Sequence, residues 1–258
     1  MQIELIGCTS AGKTSLAKNI LNVNYQNGFN FVTSYDFVLK WAHFDWIKNH
    51  RIRMLVLNLI ALLACLFTWR KNLAFYRFVM GVILRLPAKI SLYEKLKLVR
   101  IVARNVGIFE IVHRNNSDLQ VVLADEGTLH IAHYLFVHVS EEPNLSSLET
   151  FARLVSLPDV VIYIRQPESV LINRISKRGH KRIPKDSPTQ VNQFVKHGVT
   201  VFDELVECSN LKGRLLIVNG GEGIKPIWDY PNRSVLELVR KIIDIKIDPL
   251  SRENFKPI

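Results

Sequence analysis

Five short apolar runs punctuate the chain: Ile3–Ile6, Phe29–Thr33, Gln120–Ala124, Val160–Ile164 and Leu215–Val218. They lack the strict in–out alternation of a half-solvated strand, so each reads as a strand covered on both faces. Longer stretches with helical apolar spacing separate them. Strands alternating with helices predict a parallel sheet with right-handed crossovers. Ligands in such sheets bind beyond the carboxyl ends of the strands. Polar residues gather at those ends: Gly7 to Thr14 after the first run, Ser34-Tyr35-Asp36 after the second and Asp125-Glu126-Gly127 after the third. Arg165-Gln166-Pro167 follows the fourth and Asn219 to Gly223 the fifth.

The connection between the second and third runs is unusually long, covering residues 37–115, and its pattern is helical. Within it Met54 to Trp69 carries no charge and one strongly polar side chain, Asn58. Arg51 and Arg53 precede this stretch, and Arg70 and Lys71 follow it. A second apolar stretch, Leu73 to Leu86, contains Arg77 and Arg85. Three placements are open. The two stretches could form a buried helical hairpin, or one helix could lie in a membrane surface between its basic flanks. A transmembrane span is the third. It is disfavoured because sixteen helical residues reach only about 24 Å where a bilayer core needs about 30 Å.

Charge sharpens the picture of this insertion. The net charge is +11, and residues 36–115 hold fourteen Lys/Arg against four Asp/Glu, which is +10 of it. So local an excess implies an anionic partner: lipid headgroups through residues 51–104, a phosphorylated substrate or nucleic acid. No nucleic-acid-binding motif accompanies the charge, so nucleic acid is the weakest of these. Trp41, Trp46 and Trp69 lie in or beside the insertion and suit either a membrane interface or a core. Cys8, Cys65 and Cys208 are scattered, with no metal or redox spacing, as in a reducing compartment. The first strand begins almost at Met1, which leaves no signal peptide in the reading and places the site in the cytoplasm, with the inner face of a membrane open as its location.

The chemistry starts in the first loop. Gly7-Cys8-Thr9-Ser10-Ala11-Gly12-Lys13-Thr14 is a complete G-x-x-x-x-G-K-[ST] phosphate loop between a strand and a helix. Its glycines let successive N–H groups turn inward on phosphate oxygens, and the helix adds its positive end. Residues 7–14 and Ser15 would line a nucleoside triphosphate. Lys13 would reach the β/γ-phosphates, and the Thr14 hydroxyl would hold Mg²⁺. Asp125 ends an apolar strand in the manner of a Walker B carboxylate and would support the same metal. Glu126 would help it or bind the acceptor. Asp36 would orient an acceptor hydroxyl and take its proton; the alternative is a cap for a helix over Phe37–His43. Arg174 and Arg178 stand one helical turn apart after the fourth strand, with Arg182 in the basic stretch beyond. Guanidinium groups so placed could stabilise charge on a transferring phosphoryl group. His130, His133 and His138 lack a further ligand at workable spacing, so packing or acceptor contacts are their expected role. Cys8 is either a filler or an oxidation-sensitive point in the loop.

This arrangement resembles the P-loop nucleoside and nucleotide kinases, particularly the thymidylate-kinase and deoxynucleoside-kinase branch. The resemblance rests on the phosphate loop and on Ile162-Tyr163-Ile164-Arg165, Pro167-Glu168 and Arg174-Ile175-x-x-Arg178. It covers residues 2–22, 29–36, 119–138 and 159–182. It implies a three-layer α/β/α P-loop NTPase fold with a five-stranded parallel sheet in one domain over residues 1–258, interrupted by the insertion 37–115. It further implies that Arg174 and Arg178 lie beside the phosphates, that 177–188 is a lid and that Asn219 to Gly223 flanks the base. The sequence departs from the branch in having Asp125-Glu126-Gly127 where Asp-Arg is usual, and in the basic insertion.

The leading expectation is an ATP- and Mg²⁺-dependent kinase acting on a nucleoside, nucleotide or sugar-like acceptor, with a homodimer open. An ATP-dependent regulatory NTPase or binding module is the alternative. A GTP switch is disfavoured, because Asn-Lys-x-Asp is absent.

Overall fold

A computed structural model describes residues 1–22, 30–87, 90–117, 120–180, 182–183 and 187–220, together with Glu237. The elements run β1 (Gln2–Ile6), α1 (Lys13–Asn22), β2 (Asn30–Thr33), α2 (Ser34–Trp41), α3 (His50–Phe67), α4 (Leu73–Arg85) and α5 (Leu92–Asn115). They continue as β3 (Gln120–Ala124), α6 (Ile131–Phe136), α7 (Leu145–Leu154), β4 (Val160–Arg165), α8 (Glu168–Arg178), α9 (Pro188–Glu207) and β5 (Leu215–Asn219). All four strand pairings are parallel, in the order β2-β3-β1-β4-β5. The first strand is therefore central, and the chain leaves it toward opposite edges. Its carboxyl end lies at the switch point where such sheets open a crevice for ligands.

Both faces of the sheet are covered. Ile3, Leu5, Ile6, Val160 to Ile164, Phe194 and Phe202 belong to one continuous core. A second apolar cluster joins Phe37 to Leu39 of α2, Leu57 and Ala61 of α3, and Ile108, Ile111 and Val112 of α5 to Val122 of β3. The insertion is thus built outward in layers, with α5 and α2 on the sheet and α3 on α5. The α3–α5 crossing is close. A Cβ added at Gly107 would lie 1.9 Å from the Ala61 carbonyl oxygen. Gly107→Ala is expected to lower stability by about 2 kcal/mol or more, despite a helix-propensity gain of about 1 kcal/mol. Thermal unfolding reads this directly, and an unchanged midpoint would show that the two backbones do not meet there.

Two expectations for this region change. The helix after β2 begins at Ser34, not Phe37, because Thr33 caps it: the Thr33 hydroxyl accepts the Asp36 N–H and donates to the Asp36 carboxylate. Asp36 is therefore a first-turn residue and not the cap itself. Burial of the apolar stretch Met54 to Trp69 is one-sided. Only 17% of α3 is buried, through Leu57, Ala61 and Cys65; Met54, Val56, Ile60 and Ala64 pack half-buried beside them, and Ile52, Leu55, Leu59, Leu62, Leu63 and Leu66 face outward. A helical repeat places residues on every side of the axis, and α5 covers one side only.

Candidate active site

The phosphate loop is shaped by backbone that only certain residues tolerate. Gly7 sits at φ 142° and Gly12 at φ 103°. A Cβ at Gly7 would approach the Ile164 carbonyl oxygen to 2.6 Å, so the loop passes directly over β4. Ser10 takes the left-handed region at φ 67°, which for a non-glycine residue costs energy and recurs at ligand-binding turns. Its hydroxyl is buried without a hydrogen-bond partner.

Lys13, at the start of α1, is 9% exposed. Its ammonium group donates to the carbonyls of Gly7 at 2.9 Å and Cys8 at 3.1 Å. Burial lowers its pKa, and the Asp125 carboxylate opposes that shift, followed by Cys8 and Glu126. The Thr14 hydroxyl donates to Asp125 Oδ2 at 2.6 Å. The other carboxylate oxygen, Asp125 Oδ1, is buried with no partner. A hydroxyl in the first turn of α1 and an unsatisfied carboxylate oxygen at the end of β3 are hard oxygen donors, and they fit Mg²⁺ held beside a phosphate. On the other flank of the loop, Arg174 from α8 donates to the Ser10 carbonyl at 3.2 Å. The structure thus brings Lys13, Thr14, Asp125 and Arg174 together around residues 7–14. Arg178 is exposed at the end of α8, which stops at Gly179 with φ 74°.

Asp36 and Glu126 differ in their surroundings. Asp36 is held by Thr33 and by Arg53 of α3, at 2.5 Å. Glu126 accepts the Tyr134 hydroxyl at 2.8 Å and stands 3.9 Å from His130 Nε2. Arg182 lies over the Tyr134 ring at 5.1 Å, and Arg104 of α5 lies over the Tyr35 ring at 5.9 Å. Burial, then Glu126, pushes the Tyr134 phenol above its ordinary value, so it remains a donor. Tyr35, Arg104, Glu126, Tyr134 and Arg182 form a polar wall beyond the carboxyl end of β3.

Behind the wall His130 and His133 stack at 5.3 Å between centroids. Phe202 stacks on both, and Phe194 meets His133 edge-on. Burial holds both imidazoles well below their ordinary range, with Lys13 and Arg182 acting the same way. They are neutral at neutral pH. His133 Nε2 reaches to 3.4 Å of the Thr9 hydroxyl, so the pair braces the phosphate loop. Cys8 is buried, and burial pushes its thiol up to about 11. A Cβ at Gly198 of α9 would fall 2.7 Å from its sulfur. Cys8 is a protonated filler between loop and helix. Within residues 177–188, His180 packs on Phe194 at 4.6 Å and Ile183 is buried. Lys181 and residues 184–186 lie outside the described residues, as do residues 221–223 of the loop after β5.

One site-forming residue escaped the sequence reading. Glu4 stands in the middle of β1, 1% exposed. Its carboxylate accepts the N–H groups of Leu129 at 3.2 Å and His130 at 2.9 Å, and the Thr128 hydroxyl at 3.4 Å. A Cβ at Gly127 would come within 2.5 Å of it, so this carboxylate and Gly127 together set the turn that presents Asp125 and Glu126. The signal was a charge inside an apolar run. Burial outweighs these hydrogen bonds and pushes Glu4 from 4.5 up to about 7. A carboxyl that holds its proton more tightly when folded favours the fold at low pH, and loses that preference as pH rises from about 4.5 to about 7. The loss amounts to roughly 3 kcal/mol. His130 and His133 act in the opposite sense, because their depressed values weaken the fold as pH falls below the ordinary histidine value. Denaturant unfolding of wild type and Glu4→Gln across this range isolates the Glu4 contribution. The wild-type stability relative to Glu4→Gln is expected to decline toward pH 7, and a constant difference would show that the carboxyl does not titrate there.

The parallel sheet in this order and the phosphate loop at its switch point define a P-loop NTPase-type α/β domain. No protein-family model matches the sequence, and no curated protein matches it. Among solved structures, the chain is similar to a deoxyadenosine kinase from M. mycoides with the products dCMP and dCDP bound. That likeness has 13% identity and a TM-score of 0.45, and it covers 95% of this chain and 99% of the other. It is also similar to the M. mycoides enzyme with bound dATP, at 12% identity and a TM-score of 0.42, over 95% and 100% of the two chains.

Proposed function

We propose that the protein is an ATP- and Mg²⁺-dependent kinase that transfers the γ-phosphoryl group to a hydroxyl or phosphate of a nucleoside, nucleotide or sugar-like acceptor, in the cytoplasm. The observation that carries this reading is the convergence of Lys13, Thr14 and Asp125. The Thr14–Asp125 hydrogen bond of 2.6 Å is set beside a buried, unsatisfied Asp125 oxygen. Thr14 and Asp125 would hold Mg²⁺, which when bound supplies positive charge to the phosphate oxygens.

The chain's own groups do the rest. The N–H groups of residues 7–15 and the start of α1 bind the phosphates. Lys13 turns from its loop carbonyls to the β/γ oxygens and neutralises charge as it moves to the leaving group. Arg174, already against the loop at Ser10, stabilises the equatorial oxygens of the transferring group. Arg178 and Arg182 close over the nucleotide from the lid side. Of the two acceptor candidates, Glu126 is favoured. Its charge acts on Lys13 and it neighbours Asp125, whereas the Asp36 carboxylate is occupied by Thr33 and Arg53. Glu126 would take the acceptor proton, with Tyr134 fixing its orientation.

Release of ADP from Mg²⁺-ATP, followed across a panel of nucleosides, nucleotides, sugars and sugar phosphates, tests the proposal. At least one acceptor is expected to raise ADP release at least tenfold above the acceptor-free rate. Hydrolysis that responds to a protein but to no small acceptor would replace this reading with a regulatory NTPase.

A further inference from the structure

α3 contains no Asp or Glu and carries apolar side chains on two sides. Leu57, Ala61 and Cys65 are buried toward the domain, while Ile52, Leu55, Leu59, Leu62, Leu63 and Leu66 are exposed. At about 100° per residue these six occupy one arc of about 100°, on the side away from the buried three. Phe67 is 84% exposed and Trp69 is half-exposed beyond one end, and Trp46 is 72% exposed before the other. Arg51 and Arg70 are exposed at the two ends of the helix. So extended an apolar face is uncommon on a soluble surface and marks an interaction site.

We propose that α3 lies in the plane of an anionic phospholipid surface. Its leucine arc sits at the acyl boundary, the tryptophans stand at headgroup level, and Arg51 and Arg70 meet lipid phosphates. Charge selects lipid over a second copy of the chain. Three of the four acids among residues 36–115 are engaged: Asp36 with Arg53, Glu110 with Lys71 and Asn72, and Glu94 in the capping box of α5. Asp45 is the fourth, and with all four acids counted the region still carries +10. Parallel pairing of two α3 helices would set Arg51 against Arg51, and antiparallel pairing would set Arg51 against Arg70. An anionic surface complements both ends at once. Length and packing select lying over spanning. The 18 residues of α3 reach about 27 Å, short of a bilayer core of about 30 Å, and the helix is seated along α5.

Co-sedimentation of the full chain with phosphatidylcholine vesicles, with and without phosphatidylglycerol, tests this. Binding to the anionic vesicles is expected to exceed binding to neutral ones at least tenfold. The double variants Leu59→Glu/Leu63→Glu and Arg51→Glu/Arg70→Glu should each lose it at least tenfold. Their side chains are exposed, so circular dichroism and the thermal midpoint should match wild type. Absence of binding to anionic vesicles, or binding that survives both double variants, overturns the proposal. A wild-type dimer in light scattering that ignores vesicles and is split by Leu59→Glu/Leu63→Glu would assign the face to a second copy instead. No arm of the test involves ATP, so its failure leaves the kinase reading untouched.

Discussion

Lys13→Ala is expected to lower acceptor-stimulated ADP release by at least about a thousandfold while leaving a folded protein. The side chain is buried, and its ammonium group sees Asp125 and Glu126 as well as the carbonyls of Gly7 and Cys8. Removing it deletes the cation closest to the phosphate loop and leaves those two carbonyls without their donor. The stability change should be small, because relief from burying a charge offsets the lost hydrogen bonds. Nucleotide binding supplies a second readout. A ligand at a hundred times its Kd stabilises its protein by about 2.7 kcal/mol. Mg²⁺-ATP should therefore raise the wild-type thermal midpoint and leave that of Lys13→Ala nearly unchanged. Equal turnover in the two proteins would remove the phosphate loop from the mechanism.

Asp125→Asn is expected to cost about a hundredfold to a thousandfold in turnover and to weaken the dependence on Mg²⁺. Asn can still accept the Thr14 hydroxyl through its carbonyl oxygen, so the geometry of that 2.6 Å contact is largely kept. It cannot offer a second anionic oxygen where Asp125 Oδ1 lies buried and unsatisfied. A titration of turnover against Mg²⁺ separates the roles. A raised Mg²⁺ requirement supports metal support by Asp125. An unchanged requirement with lowered turnover would make Asp125 an orienting group for Thr14 alone.

Much of this fold was legible from local pattern. Five strands in a parallel sheet and the loop at the first strand's end follow from apolar runs and one motif, since backbone sterics and sheet burial act over a few residues; the expectation of strands covered on both faces fails for β2, where Asn30 is exposed and Phe31 to Thr33 are half-buried. The pairing of Thr14 with Asp125 was legible for the same reason: Thr14 opens the helix after β1 and Asp125 follows the end of β3, the strand paired with β1. Glu4 was not, because its value depends on the N–H groups of Leu129 and His130, more than a hundred positions away. The outward face of α3 was also hidden. Its composition fits a buried helix, a lipid-facing helix or a span, and only the seating of Leu57 and Ala61 on α5 shows which side the domain covers. For Asp36, the sequence could not show that Arg53 of the insertion would claim its carboxylate.

The hydrogen bonds within the loop have a thermodynamic consequence. Lys13 donates to the Gly7 and Cys8 carbonyls and Arg174 to the Ser10 carbonyl. A phosphate that engages these two cations would displace their carbonyls, and from them it would gain the difference in strength. Charged acceptors outbid neutral carbonyls in such a trade. Under the proposed reading the loop would therefore discriminate by the formal charge of its guest, and a neutral molecule of the same shape would have less to offer in exchange.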